Sequence, residues 1–200
     1  NSLIIGHQTT GTLNSATGNT GVGYAAMDAI TSGDNNVAVG YLSLSANNSG
    51  SNNTGIGNGA LQQNAGADNN TAVGLSSMYT NTTGASNAAL GVGALFTNNA
   101  NNNTGVGYHT LYANTTGAGN TAVGFESLKA NIDGEALVAV GKGALQANVS
   151  GDSNTAVGQS ALYANTGADN TAVGRNAMSG GTSGSFNTAV GFYAMTGTNA

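Results

Sequence analysis

Along this chain a branched aliphatic residue comes round every seventeen positions, as Ile5, Val22, Val39, Ile56, Val73, Leu90, Val106, Val123, Val140, Val157, Val173 and Val190, with two intervals of sixteen. A second apolar column follows five residues later and is Leu or Met in every copy but the first, where Thr10 stands. The residues between are small or polar. A helix would need apolar residues at three- and four-residue spacing over ten or more positions, whereas the recurring Thr-Ala-Val triplet alternates its side chains as a short strand does. The glycine that ends each triplet predicts a tight corner, and the Asn-x-x-Gly stretch beyond it carries the chemistry of turns.

The unit is Asn-Thr-Ala-Val-Gly-x-x-Ala-Leu-x-x-Asn-x-x-Gly-x-x, numbered here from its first Asn, and it is written twelve times across residues 1–200 as a single repeat domain. A fixed period this short is the signature of stacked repeats, each burying its apolar face against its neighbours. The predicted fold is all-β, a parallel β-solenoid of about twelve coils stacked at roughly 4.8 Å. Its expected core is the two apolar columns, Val22, Val39, Ile56, Val73, Val123, Val157 and Val190 at position 4 with Leu61, Leu111 and Leu162 at position 9. Position 3 is Ala or Gly after Ile4, and position 8 is Ala, Ser or Thr. Either these columns line a narrow coil interior or other chains pack against them. Two large apolar residues per coil, roughly 2 kcal/mol each, are few against seventeen ordered residues at about 1–2 kcal/mol apiece. That balance favours an interface and association along the whole length, most simply as a trimer.

Composition narrows the class. Charged residues are 6% of the chain, the net charge is -5, and Lys129, Lys142 and Arg175 are the only basic side chains besides two histidines. No basic stripe exists to neutralise phosphates, so nucleic acid is not an expected partner. No apolar run reaches the ~18 residues of a membrane span, so membrane insertion is not expected either. The absence of cysteine excludes disulfides and thiolate metal sites and is compatible with an extracellular or virion setting. The chain opens on Asn1 with neither leader nor initiator Met and reads as an internal segment of something longer.

Candidate chemistry is sparse. His7 and His109 lie six coils apart, too far to share a metal or a proton. No nucleophile triad or carboxylate pair stands out, and no enzyme is expected. Acids collect at position 16 (Asp34, Asp68, Glu135, Asp152 and Asp169), where they suit turn capping better than calcium, so no cofactor is expected. Asparagines fill positions 1 and 12, where stacked amides can bond up the column; among them, Asn81-Thr82-Thr83 and Asn114-Thr115-Thr116 are glycosylation sequons. Aromatics at positions 6 and 10, among them Tyr24, Tyr41, Tyr108 and Tyr112, either face sugars or pack over coil edges and between chains.

The unit Asn-Thr-Ala-Val-Gly-x-x-Ala-Leu resembles the Asn-Ser-Val-Ala-Ile-Gly repeats of trimeric autotransporter adhesin heads (the YadA-like repeats). It resembles still more the Asn-Thr-Ala-Val-Gly-Tyr-x-Ala-Leu repeats of phage tail-fibre proteins and related bacterial surface proteins, over all 200 residues. In the adhesins such repeats form a left-handed parallel β-roll with three chains round one axis, and the resemblance implies the same here. It implies a shaft or head of an extracellular fibre, on a virion or a cell surface, presenting a tip that meets a host glycan or protein. Two alternatives stand beside it. One is a stand-alone filament of segments joined end to end. The other is a single-chain ligand-binding solenoid, in particular an ice-binding one, because Thr recurs at position 2. Against ice, Thr at position 2 shares its side of the strand with the expected core Val at position 4.

Overall fold

The computed structural model describes residues 2–5, 15–181 and 183–196, and Thr10 and His7 fall outside them. Twelve three-residue strands, one per coil, form one parallel sheet in sequence order: β1 (Leu3–Ile5), β2 (Thr20–Val22), β3 (Val37–Val39), β4 (Thr54–Ile56), β5 (Thr71–Val73), β6 (Ala88–Leu90), β7 (Thr104–Val106), β8 (Thr121–Val123), β9 (Val138–Val140), β10 (Thr155–Val157), β11 (Thr171–Val173) and β12 (Thr188–Val190). The predicted solenoid is thus the observed fold, and no helix occurs among the described residues. Register is uniform, each position pairing with its own copy in the next coil, as Thr104, Gly105 and Val106 pair with Thr121, Ala122 and Val123.

The orientation of the strand reverses the expected one. Position 3 points inward and is fully buried at Ala38, Ala72, Ala122, Ala139, Ala156 and Ala172. Position 4 points out. Val22, Val39, Ile56, Val123 and Val157 are between 36% and 40% exposed, Val190 reaches 71%, and Val73 is half-buried. The expectation that position 4 is core is corrected accordingly, while Leu61, Leu111 and Leu162 at position 9 are fully buried. The cause is width. The position-9 side chain crosses the interior and meets the strand, so position 3 has room only for Ala or Gly; a Cβ on Gly55 would lie 2.7 Å from Ser43 Oγ and 3.3 Å from Leu44 Cγ. The small-residue columns therefore line the narrow interior, and the reading of them as an interface between chains falls.

What holds the coil closed is amide chemistry. Each buried Asn at position 1 ties the start of its coil to the end, Asn36 Nδ2 donating to Gly50 O at 2.8 Å, while its Oδ1 accepts the backbone N–H of the next coil's position 1, as Asn53 N–H donates to Asn36 Oδ1 at 2.9 Å. Position 12 forms a direct amide ladder, with Asn131 Nδ2 to Asn114 Oδ1 at 2.8 Å and Asn148 Nδ2 to Asn131 Oδ1 at 3.0 Å. Buried amides satisfied in this way replace the apolar mass the sequence lacks. The pattern has exceptions: Leu137 takes position 1, Ile30 takes position 12, and both are buried.

Two coils are one residue short, and the missing residue lies between positions 12 and 15 in both. Asn98 reaches Ala100 O and Asn165 reaches Gly167 O two residues on, where other coils span three. In both, the Oδ1 of the position-12 Asn accepts from the next coil's position-1 amide, Asn103 at 3.0 Å and Asn170 at 3.4 Å. The ladder breaks just before each short coil, leaving Asn81 Oδ1 and Asn148 Oδ1 buried without a partner.

Beyond the strand, Gly at position 5 turns the corner with φ near 133° and sits against its copy in the next coil, where a Cβ on Gly124 would lie 2.7 Å from the Gly141 carbonyl. Three overlapping turns follow, with position 9 in the left-handed region at every described copy, from Met27 (53°) to Met195 (54°). This conformation costs a Leu about 1–2 kcal/mol. It aims the N–H groups of positions 9 and 11 at the next coil, as Leu44 to Ala60 O and Ala46 to Gln62 O, both at 3.0 Å, so the turns hydrogen-bond between coils as the strands do.

Candidate binding faces

The strand side of the rod is flat, regular and apolar. Positions 2 and 4 both look outward from β2 to β12, giving a row of mostly Thr beside an unbroken row of Val, Ile or Leu. Position 6 continues the apolar surface round the corner with exposed Tyr24, Tyr41, Leu75, Val92, Tyr108, Phe125 and Phe192. The row at position 4 is unbroken, whereas the position-6 row is interrupted by Asn58, Lys142, Gln159 and Arg175. Sequence reasoning assigned the position-4 row to the core because its alternation fits either side of the strand equally; the signal that sets the side is the restriction of position 3 to Ala or Gly.

The aromatic columns stack along the rod. Tyr24 lies on Tyr41 with centroids 5.4 Å apart, Tyr108 on Phe125 at 5.3 Å, and Tyr79, Phe96 and Tyr112 form a run at 5.3 and 4.9 Å. Lys142 stands 5.6 Å from the Phe125 centroid and Arg175 5.6 Å from that of Phe192. Of the four tyrosines singled out as glycan-facing, Tyr24 and Tyr41 form one pair. Tyr108 and Tyr112 are joined through His109, whose ring lies 3.8 Å from the first and 4.5 Å from the second. Each of the four packs against at least one neighbouring ring over the coil edges, and Tyr24, Tyr41 and Tyr108 remain between 43% and 50% exposed.

One charged cluster adjoins the rings. Glu126 accepts from Lys129 Nζ at 2.7 Å and from Gln146 Nε2 at 2.8 Å, clasping two coils. The Lys129 hydrogen bond holds the Glu126 carboxyl below its ordinary value, and the same bond raises Lys129. Burial, helped by Lys129 and opposed by Glu126, lowers the pKa of His109. Sequence spacing did not reveal this clasp, because its partners differ in type from coil to coil.

At position 16 the acids cap backbone. Asp34, Asp68 and Asp152 each accept, through Oδ1, the N–H of the residue one coil earlier, Thr17 at 2.7 Å, Ser51 at 2.7 Å and Glu135 at 2.8 Å. Ser51, Asn101 and Ser185 do the same in other coils. Asp169 belongs at position 17: its N–H donates to Asp152 O and its φ is 58°, because the residue missing from its coil lies upstream. Of the sequon asparagines, Asn81 and Asn114 are fully buried ladder members, closed to a glycan in the folded chain, whereas Asn52 and Asn69, which also begin sequons, are exposed.

Comparison with known proteins finds no matching family, no matching curated protein and no matching solved structure.

Proposed function

We propose that this chain is a non-enzymatic segment of an extracellular fibre, the shaft or head of a phage tail fibre or bacterial surface adhesin, holding a receptor-binding tip away from a particle or cell. The observation that carries the reading is the unbroken parallel stack: twelve strands in sequence order and constant register make a rod whose length is set by repeat number alone. At the strand spacing of roughly 4.8 Å it is on the order of 55 Å long. The resemblance of the repeat to fibre and adhesin repeats agrees with this, and the open apolar strand face suits lateral association with further copies, most simply as a trimer. The fibre meets its host glycan or protein at a distal tip. Light scattering with small-angle X-ray scattering tests the reading: a particle of three times the 19.4 kDa chain mass with a rod-like profile is expected, and a compact or solely monomeric particle would overturn it.

A second reading draws on the same face. With position 4 exposed, the objection that the Thr row shares its side with the core no longer holds, and Thr and Val form a flat hydroxyl-and-methyl array of the kind that orders water on ice. Thermal hysteresis in a monomer, lost when Thr104 and Thr121 are replaced by Lys, would favour ice binding over the fibre.

A further inference from the structure

We infer that the solenoid forms only from a chain whose position-12 sequons are free of sugar, and that it accepts N-linked glycan at position 17 alone. This concerns how the chain is made, and it stands apart from what the rod meets once folded. Seven asparagines begin an Asn-x-Ser/Thr sequon, and the repeat sorts them into two columns. Asn47, Asn81, Asn114 and Asn148 stand at position 12, one in every second coil, and each is fully buried. Asn52, Asn69 and Asn102 stand at position 17, and each is exposed.

The chemistry of the modification makes the column decisive. The Asn amide nitrogen attacks the anomeric carbon of an oligosaccharide carried on a polyprenyl pyrophosphate. A C–N bond forms, the C–O bond to the pyrophosphate breaks, the lipid pyrophosphate leaves, and the nitrogen gives one proton to the transferring enzyme. One of the two Nδ2 hydrogens is thereby replaced by sugar. In the ladder both are in use: Asn114 Nδ2 donates to Asn98 Oδ1 at 2.7 Å and to Gly117 O at 2.9 Å, and Asn148 Nδ2 to Asn131 Oδ1 at 3.0 Å and to Gly151 O at 3.1 Å. Space is lacking too, since a single Cβ on Gly84 would lie 2.5 Å from Asn81 Oδ1, and one on Gly117 2.7 Å from Asn114 Oδ1. A glycan at position 12 therefore removes a buried hydrogen bond and brings a hydrated group to the point where the coil must close. Position 17 is different, because the fold draws there on the backbone. Asn52 N–H donates to Asp34 O at 2.9 Å and Asn69 N–H to Ser51 O at 3.0 Å, while both side chains stand in solvent. Transfer acts on unfolded chain, before burial protects the amide. The chain accordingly reaches an extracellular place by a route without such transfer, or passes the enzyme only after its coils have closed.

Cell-free translation with and without endoplasmic-reticulum microsomes tests this, with glycans mapped by mass spectrometry and folding read as resistance to proteinase K. The unmodified chain is expected to be resistant, and occupancy of any one position-12 site to lower the resistant fraction at least about tenfold. A chain carrying Ser49→Ala, Thr83→Ala, Thr116→Ala and Ser150→Ala loses the four ladder sequons without losing an Asn. The replaced residues are exposed at position 14, where Gly66 and Asp133 stand in other coils. This variant is expected to take glycan at position 17 in microsomes and remain resistant. Resistant chains bearing glycan at Asn81 or Asn114 would overturn the inference, as would a wild-type chain left empty at all four ladder sites in microsomes. An unmodified chain that is itself digested would overturn the blame laid on the glycan, and digestion of the glycosylated variant would overturn the tolerance of position 17.

Discussion

Replacing Asn120 by Leu isolates the position-1 amide. In the wild type Asn120 Oδ1 accepts the buried N–H of Leu137 at 2.9 Å and its Nδ2 donates to Gly134 O at 2.8 Å. The substitution removes both bonds, yet Gly134 O keeps its bond from Asn131 Nδ2 at 3.0 Å, so the main loss is one buried, unpaired N–H. An unsatisfied buried donor costs about 1–3 kcal/mol and a lost hydrogen bond about 1 more, so a destabilisation of about 2–4 kcal/mol is expected. Size does not confound the experiment, because Leu137 occupies the equivalent place one coil on and is fully buried there. The reverse change, Leu137→Asn, gives the Asn154 N–H a side-chain acceptor and should stabilise by about 1 kcal/mol. Urea denaturation gives the size of each effect, and hydrogen exchange at the Leu137 amide gives its place, since stability in a stacked repeat is held locally between neighbours. A shift below about 0.5 kcal/mol for Asn120→Leu, with unchanged protection at Leu137, would refute the claim that amides hold the coil closed.

Gly124→Ala should destabilise by about 3 kcal/mol or more, measured by denaturant midpoint, because φ is 131° and the new Cβ meets the Gly141 carbonyl. Ser76→Gly should stabilise by about 0.5 kcal/mol, seen as a small rise in Tm: Ser76 is held at φ 52°, and Gly59, Gly93 and Gly143 already occupy its position in other coils. Inserting one Gly after Asn99 should restore the rung from Asn98 to the unpaired Asn81 Oδ1 and stabilise by about 1 kcal/mol by the same assay. Burial lowers the pKa of His109 in the fold. Its contribution is therefore present above the unfolded value of about 6.5 and is lost as pH falls through that value toward the folded one. His109→Gln should flatten that part of the stability profile between about pH 7.5 and 5, and an unchanged slope would refute the assignment.

The period, the strand triplet and the turn glycine carry enough information to reach the solenoid, because each is a covalent property of the unit. The side of the strand was not legible from its own alternation. Val39 and Ala38 are both apolar, and only the depth of Leu44 behind Ala38 decides which faces in. The amide columns were legible as columns but not in their bonding, since position 1 gives its oxygen to a neighbour's backbone while position 12 gives it to a neighbour's side chain. Asp169 was misplaced by one position because a deletion leaves no mark in a sequence beyond a changed count. The aromatic columns were visible in advance, but the direction of their ring faces depends on stacking between coils.

The hydrogen bonds between coils run along the rod, from Thr104 to Asn120 O and from Gly107 to Leu90 O in the strand and from Leu111 to Ser127 O in the turns. A pull on the two ends of one chain therefore loads these bonds in line and peels coils away singly, each freeing about 60 Å of extended backbone. Tension along a single solenoid is met by one coil at a time, and its force-extension trace should show evenly spaced steps of that length. If copies associate along the strand face, as proposed above, the same load falls in shear across many coils at once, and lateral association adds tensile strength.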